Sequence, residues 1–194
     1  MKVLVNVFHP NLNESKVNKK WVERLQRENV TINNLYEKYP NWEFDLECEQ
    51  KLLLEHDRIV FQFPFYWYST PPLLKKWQDD ILTFGWAYGT GGDKLKGKEF
   101  VLAISVGGSQ KSYQAGGYNN YTISELTRPL QQTANLTGME FLSSFVLYKS
   151  VVASEQEIEK SAEDLVKHVL NPELNPAAGL KRILSEMAEK DVTL

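Results

Sequence analysis

Apolar positions follow two rhythms along this chain, and the alternation between them predicts its elements. Lys2–Phe8 reads KVLVNVF, a nearly continuous β-branched run that suits a central parallel strand covered on both faces. From Ser15 to Asn29 the apolar residues Val17, Trp21 and Leu25 recur at helical spacing among charges, which predicts an amphipathic helix. Val30–Leu35 predicts a second strand, Leu46–Glu55 a helix, and RIVFQF at Arg58–Phe63 a third strand. Pro72 opens the next helix at its first turn, where a missing N–H costs little, with Leu73, Leu74, Trp77 and Ile81 on its apolar side. Residues 85–97 form a Gly-rich loop. FVLAISV at Phe100–Val106 is a fourth strand, stopped by Gly107 and Gly108. A helix follows over Ser124–Thr137, kinked at Pro129 and ended at Gly138. Phe141–Tyr148 is the fifth strand. Ser154 and Glu157 fit a capping box for a helix reaching Leu170, and a short helix follows the NPELNP punctuation.

Strands alternating with helices imply βαβ units and a parallel sheet wound right-handedly, a doubly wound α/β domain. At 194 residues the chain is too short for two such domains. Residues 1–170 are assigned to the domain and 171–194 to a C-terminal helical extension.

Composition narrows the function classes. A hydrophobic fraction of 42% and a charged fraction of 24% exclude disorder of the whole chain. With a net charge of −3 and scattered Lys and Arg, no phosphate-tracking stripe exists, so nucleic acid is not an expected partner. One cysteine, Cys48, allows no disulfide, and His9, His56 and His168 show no ligand spacing, so no metal site is expected. The apolar run of MKVLVNVFHPN is too brief for a signal peptide, and no window nears the ~18 apolar residues of a spanning helix. A soluble cytoplasmic protein is the expectation.

In an open parallel sheet, ligands bind beyond the carboxyl ends of the strands. Three loops leave strands at that edge. The first, HPNLNESKVN, delivers Ser15 to a helix start, whose N–H groups suit a phosphate; Ser is equally a common N-cap without any ligand. No GxxxxGK[ST] and no GxGxxG is present, which argues against nucleoside triphosphate and Rossmann sites. The second, PFYWYSTPP, sets aromatics between prolines as a rigid edge for a flat conjugated ligand. Phe61, Phe63 and Trp77 read as core, whereas Phe65, Tyr66, Trp67 and Tyr68 run consecutively and cannot all be buried. The third places Gly107 and Gly108 straight after a strand, where bare backbone N–H groups suit an anionic or electron-accepting edge. A phosphate pocket, an aromatic wall and donor-rich backbone are together what flavin mononucleotide requires.

The run FPFYWYSTPPLLKKWQDDILTFGWAYGTGGDKLKGK at Phe63–Lys98, with SVGG at Ser105–Gly108 and RPLQQTANLTGMEFL at Arg128–Leu142, resembles the flavodoxin-like NAD(P)H:quinone oxidoreductases. This group includes modulator-of-drug-activity-type proteins and the ancillary oxidoreductase subunits of glutathione-gated potassium efflux systems. The resemblance spans about residues 2–170. It implies a five-stranded parallel sheet in the order 2-1-3-4-5 with helices on both faces, and flavin contacts at His9, Ser15, Lys16, Val17, Asn18, Phe65, Tyr66, Trp67, Tyr68, Ser105, Val106, Gly107 and Gly108. It implies FMN rather than FAD, NAD(P)H as co-substrate, and a homodimer in which Trp86 and Tyr88 cap the flavin of the partner subunit. Tyr113 matches a tyrosine beside the reacting ring. Where relatives carry Thr-Thr-Gly-Gly this chain has Ser-Val-Gly-Gly, and GGYNNY after Tyr113 lacks the histidine of the larger quinone reductases.

The function so implied is ping-pong hydride transfer from NAD(P)H through the flavin to a quinone or similar flat acceptor. The alternative is a regulatory ancillary subunit of a glutathione-gated potassium efflux transporter.

Overall fold

Strand β1, Val3–Val7, is buried along its whole length, as an unbroken apolar run requires of a central strand. The computed structural model, which describes residues 1–189, places β2 (Val30–Asn34) on one side of β1 and β3 (Arg58–Pro64) on the other, both parallel to it. Strand β4 (Glu99–Ser105) continues the sheet beside β3. Two short strands, β5 (Glu140–Phe141) and β6 (Phe145–Leu147), share the far edge of β4. The order is β2-β1-β3-β4-β5, with β6 also on β4.

Side chains of β1, and of Phe8 just beyond it, alternate between two cores. Leu4 and Phe8 face α3 (Leu46–Glu55) and α4 (Pro72–Ile81), while Val3, Val5 and Val7 face α1 (Lys16–Leu25) and α7 (Glu155–Leu170). Each core is centred on a buried tryptophan. Trp21 donates from Nε1 to Ser161 Oγ at 2.9 Å, joining α1 to α7. Trp77 donates to Glu49 Oε2 at 2.9 Å, joining α4 to α3. All four apolar residues expected inside α4, Leu73, Leu74, Trp77 and Ile81, are buried. Removing a ring such as Trp77 would cost roughly 3–5 kcal/mol.

Several elements end elsewhere than the pattern suggests. Helix α1 stops at Leu25 because Gln26–Asn29 offers nothing apolar to bury, and packing is what sustains a short helix. Asn34 ends β2, and Leu35 starts the one-turn α2 (Leu35–Lys38). The helix expected from Ser124 to Thr137 is two helices, α5 (Ile123–Leu126) and α6 (Arg128–Thr137). Pro129 lacks the N–H that would continue the ladder, so the chain breaks at Thr127. Thr122 and Glu125 form a capping box at the start of α5, a T-x-x-E signal legible in the sequence. Gly138 ends α6 at φ 73°, the left-handed region where glycine is unstrained. Ser154 and Glu157 make the expected capping box of α7.

The fifth strand is where expectation and structure part most. Phe141 aligns with Phe100 and Phe145 with Ala103, so four steps on this edge match three on β4. The extra residue is a bulge, and His168 Nε2, bonded to Ser143 O at 2.8 Å, fastens it. The extension contains α8 (Pro176–Glu189); the expectation for 190–194 lies outside the described residues.

Candidate functional site

The loop after β1 turns into α1 through Ser15, whose Oγ accepts from the Asn18 amide at 3.0 Å. The Lys16 and Val17 amides open the helix with no intrahelical acceptor, and they present partial positive charge at the sheet edge. Val17's side chain is core, so only its backbone faces outward. His9 is buried and its Nδ1 accepts from the Asn11 amide at 3.1 Å. That bond assigns the proton of the neutral ring to Nε2. Burial holds the His9 pKa below its ordinary value. Asn18 is buried and spends its side chain within the protein, donating from Nδ2 to Ser105 Oγ at 2.9 Å.

The aromatic loop after β3 is a two-residue hairpin. Tyr66 and Ser69 exchange both backbone hydrogen bonds, at 3.2 and 2.9 Å. Trp67 and Tyr68 form its tip at φ 48° and 61°, both left-handed, as a type I′ turn demands. Holding two bulky residues there costs roughly 1–3 kcal/mol each. Trp67 ends 93% exposed, with Tyr66 and Tyr68 also exposed. Phe65 turns inward, and its amide bonds to Ser105 O at 2.9 Å. The four consecutive aromatics are thus not all buried: Phe65 anchors the loop, and Tyr66, Trp67 and Tyr68 are presented to solvent.

After β4, Val106 turns its side chain fully inward and has its amide engaged within the sheet, bonded to Leu147 O at 2.8 Å. The amides of Gly107 and Gly108 have no acceptor among the described residues. Tyr113 packs against Phe65, ring centroids 6.1 Å apart, and against Tyr148 at 6.2 Å. Burial, and then the neighbouring Tyr68 and Tyr148, raise its pKa above the ordinary phenol value. Tyr68 donates to Asn119 Oδ1 at 3.3 Å, which ties the aromatic loop to the segment after Gly108.

Asn119 and Tyr148 were not foreseen. Tyr148 carried a signal, an aromatic at the carboxyl end of a strand, whereas Asn119 sits in a polar loop with none. A cavity of about 680 Å³ opens behind Tyr113 and Tyr148, lined also by Gln110, Thr122, Gln131 and Ser144 and by no charged side chain. Trp86 and Tyr88 are half-buried against the same core that Phe65, Tyr113 and Tyr148 pack on, and Phe84 beside Tyr88 is the exposed ring of that loop. Among the described residues no cluster of metal-ligating side chains occurs, and no helix is long and apolar enough to cross a membrane.

A family model described as flavodoxin-like fold matches residues 1–169. The chain is 56% identical over 194 residues to a Bacillus subtilis protein named uncharacterized NAD(P)H oxidoreductase YdeQ, covering 100% of this chain and 98% of the relative. It is 36% identical over 169 residues to the glutathione-regulated potassium-efflux system ancillary protein KefF of Salmonella typhimurium, covering 87% of this chain and 95% of that one. Among solved structures, general stress protein 14 of Treponema denticola in complex with FMN matches with a TM-score of 0.82 and 39% identity, over 86% of this chain and 96% of that one. An NADPH-quinone reductase from P. pentosaceus matches with a TM-score of 0.81 and 34% identity, over 88% and 99%.

Proposed function

The chain belongs to the flavodoxin-like fold family, and from that membership we propose that it is an FMN-dependent NAD(P)H oxidoreductase delivering two electrons to quinones or similar flat acceptors. One observation carries this reading: open helix-start amides, a bare aromatic wall and glycine amides with no acceptor among the described residues meet at one sheet edge. They fit the three parts of FMN. The Lys16 and Val17 amides, with the Ser15 hydroxyl and His9 Nε2–H, would hold the phosphate. The Trp67 loop would flank the conjugated ring, and the Gly107 and Gly108 amides would stabilise negative charge developing at its polar edge.

FMN, held by these residues, would supply the redox chemistry that links NAD(P)H oxidation to two-electron reduction of the acceptor. Donor and acceptor would enter the open site in turn, a ping-pong order. The protein's part is to bind, orient and exclude water, and none of its side chains needs to act as a nucleophile. Quinone reductase and NAD(P)H oxidoreductase relatives support this substrate class. The active unit is a homodimer, each site receiving rings from the Phe84–Tyr88 loop of the other subunit. A chain with one cysteine suits the reducing cytoplasm.

The test is the absorbance spectrum of the purified protein. A flavin spectrum that bleaches with NADPH under anaerobic conditions and recovers on adding a quinone is expected. A colourless protein that leaves the fluorescence of added FMN unquenched overturns the reading. The similarity to KefF favours a second role as ancillary subunit of a potassium efflux transporter, which co-purification with a membrane transporter would support.

A further inference from the structure

We infer that Asn18 is a positioning residue for the bound flavin that works through Ser105 and is not itself a phosphate ligand. The inference rests on the flavin reading above. It comes from the direction in which a buried hydrogen-bond chain is forced to run. Gln62, Asn18 and Ser105 stand on β3, α1 and β4, and all three are nearly or fully buried.

The Asn18 backbone carbonyl can only accept. Gln62 approaches it at 3.0 Å, so the atom facing it must be Gln62 Nε2, the donor. The same Nε2 lies 3.4 Å from the Asn18 side chain, which therefore turns its oxygen, Oδ1, toward Gln62. Nδ2 is left facing the other way, 2.9 Å from Ser105 Oγ. Its second hydrogen points to Ser15 Oγ at 3.5 Å. The polarity of this chain is thus set by a backbone atom that cannot rotate. Gln62 Oε1, buried with no partner among the described residues, is the cost of that arrangement.

Two consequences follow for the site. Every polar atom of the Asn18 side chain is engaged inside the protein, so nothing is left to reach a phosphate. Ser105, obliged to accept from Asn18, has its own hydroxyl proton free, with no acceptor among the described residues. It sits at the end of β4, directly before Gly107 and Gly108 by way of Val106. Its O–H is thereby presented as a donor to the bound flavin, beside the open glycine amides. Asn18 fixes that direction.

Riboflavin, which lacks the phosphate, separates this role from phosphate binding. Titrating apoprotein by flavin fluorescence quenching, Asn18→Ala and Ser105→Ala should each weaken FMN and riboflavin by the same factor, roughly three- to tenfold. The double variant should be no weaker than either single one. Asn18→Asp keeps the shape and makes donation depend on a proton. Its riboflavin affinity, relative to the unmodified protein, should be poor at about pH 8 and recover toward about pH 5 as the buried carboxyl is protonated. A merely structural role would not produce that recovery. Loss of FMN binding with riboflavin spared, additive losses, or a pH-independent Asn18→Asp variant would overturn the inference. Should the unmodified protein bind neither flavin, the cofactor reading itself falls, and this proposal with it.

Discussion

The ring of Tyr113 closes so tightly over Gly108 that a Cβ built at that glycine would come within 2.8 Å of Tyr113 Cε2 and 3.1 Å of Ser112 Oγ. The close approach brings an aromatic ring onto the backbone whose amides are left open, so glycine at 108 is a steric requirement. Gly108→Ala should displace Tyr113 and weaken FMN binding roughly tenfold, a cost typical of overpacking. The melting temperature should move little, because the position is half-exposed. Unchanged FMN affinity in a fluorescence titration would remove the requirement.

Tyr113 is expected to gate the pocket and not to transfer a proton. Its pKa is pushed upward by burial, so the hydroxyl stays protonated throughout the neutral range. Tyr113→Phe should leave stopped-flow reduction of the flavin by NADPH nearly intact. A loss of order 10²-fold would instead assign the hydroxyl to proton transfer.

Glu49 is a buried carboxylate with four donors: Asn33 Nδ2, Trp77 Nε1, Lys38 Nζ and Tyr39 Oη, all within 2.9 Å. Burial, then the Glu49 charge, pushes the Tyr39 phenol up to about 12. Replacing Glu49 with Ala strands those donors and should destabilise the fold by roughly 3–5 kcal/mol in urea unfolding. A loss under about 1 kcal/mol would show that the network is dispensable.

Burial lowers the pKa of His9 and of His168 below the ordinary value of 6.5. The unfolded chain then binds protons that the folded chain resists, so stability is complete above about pH 6.5 and is lost as pH falls through the folded-state values. The lowered carboxylates Asp57, Glu125, Glu157 and Glu163 contribute in the same direction but further into acid, below about pH 4.5. Urea midpoints should decline as pH falls below about 6.5, and the double variant His9→Gln, His168→Gln should flatten that decline. A midpoint that is level through this window, or equally steep in the variant, contradicts the assignment.

The shared site of the proposed homodimer is testable by complementation. Ser15→Asp puts a carboxylate at the start of α1 and should abolish FMN binding in its own subunit. A second subunit carrying Phe84→Ala, Trp86→Ala and Tyr88→Ala keeps its FMN site but loses its rings. Mixed dimers pair one intact flavin site with one intact aromatic loop, so activity should partly return. Heterodimers that form and stay as inactive as either parent would mean the loop serves only its own core, where Trp86 and Tyr88 are half-buried.

The sequence by itself determined where most of the strands and helices lie, because those choices depend on local patterns. The unbroken apolar run of β1, the Pro72 start and four buried residues of α4, the Ser154–Glu157 box and the Gly138 stop all lie within a few residues of the bonds they encode. The three loops that would hold a ligand were also legible, since a doubly wound sheet delivers them to one edge. Tertiary structure decided the rest. The bulge between β5 and β6 adds one residue, which carries Phe145 to Trp21 in an edge-type contact, ring centroids 5.5 Å apart. No local pattern specifies it, because it answers to the helix packed behind it through His168. Likewise, Ser15 and Gly108 could be picked out singly, but the Asn18–Ser105 bond joins residues 87 positions apart. Such a contact exists only once β3 and β4 are in register beneath α1, and its energy comes from burial that neither segment has alone.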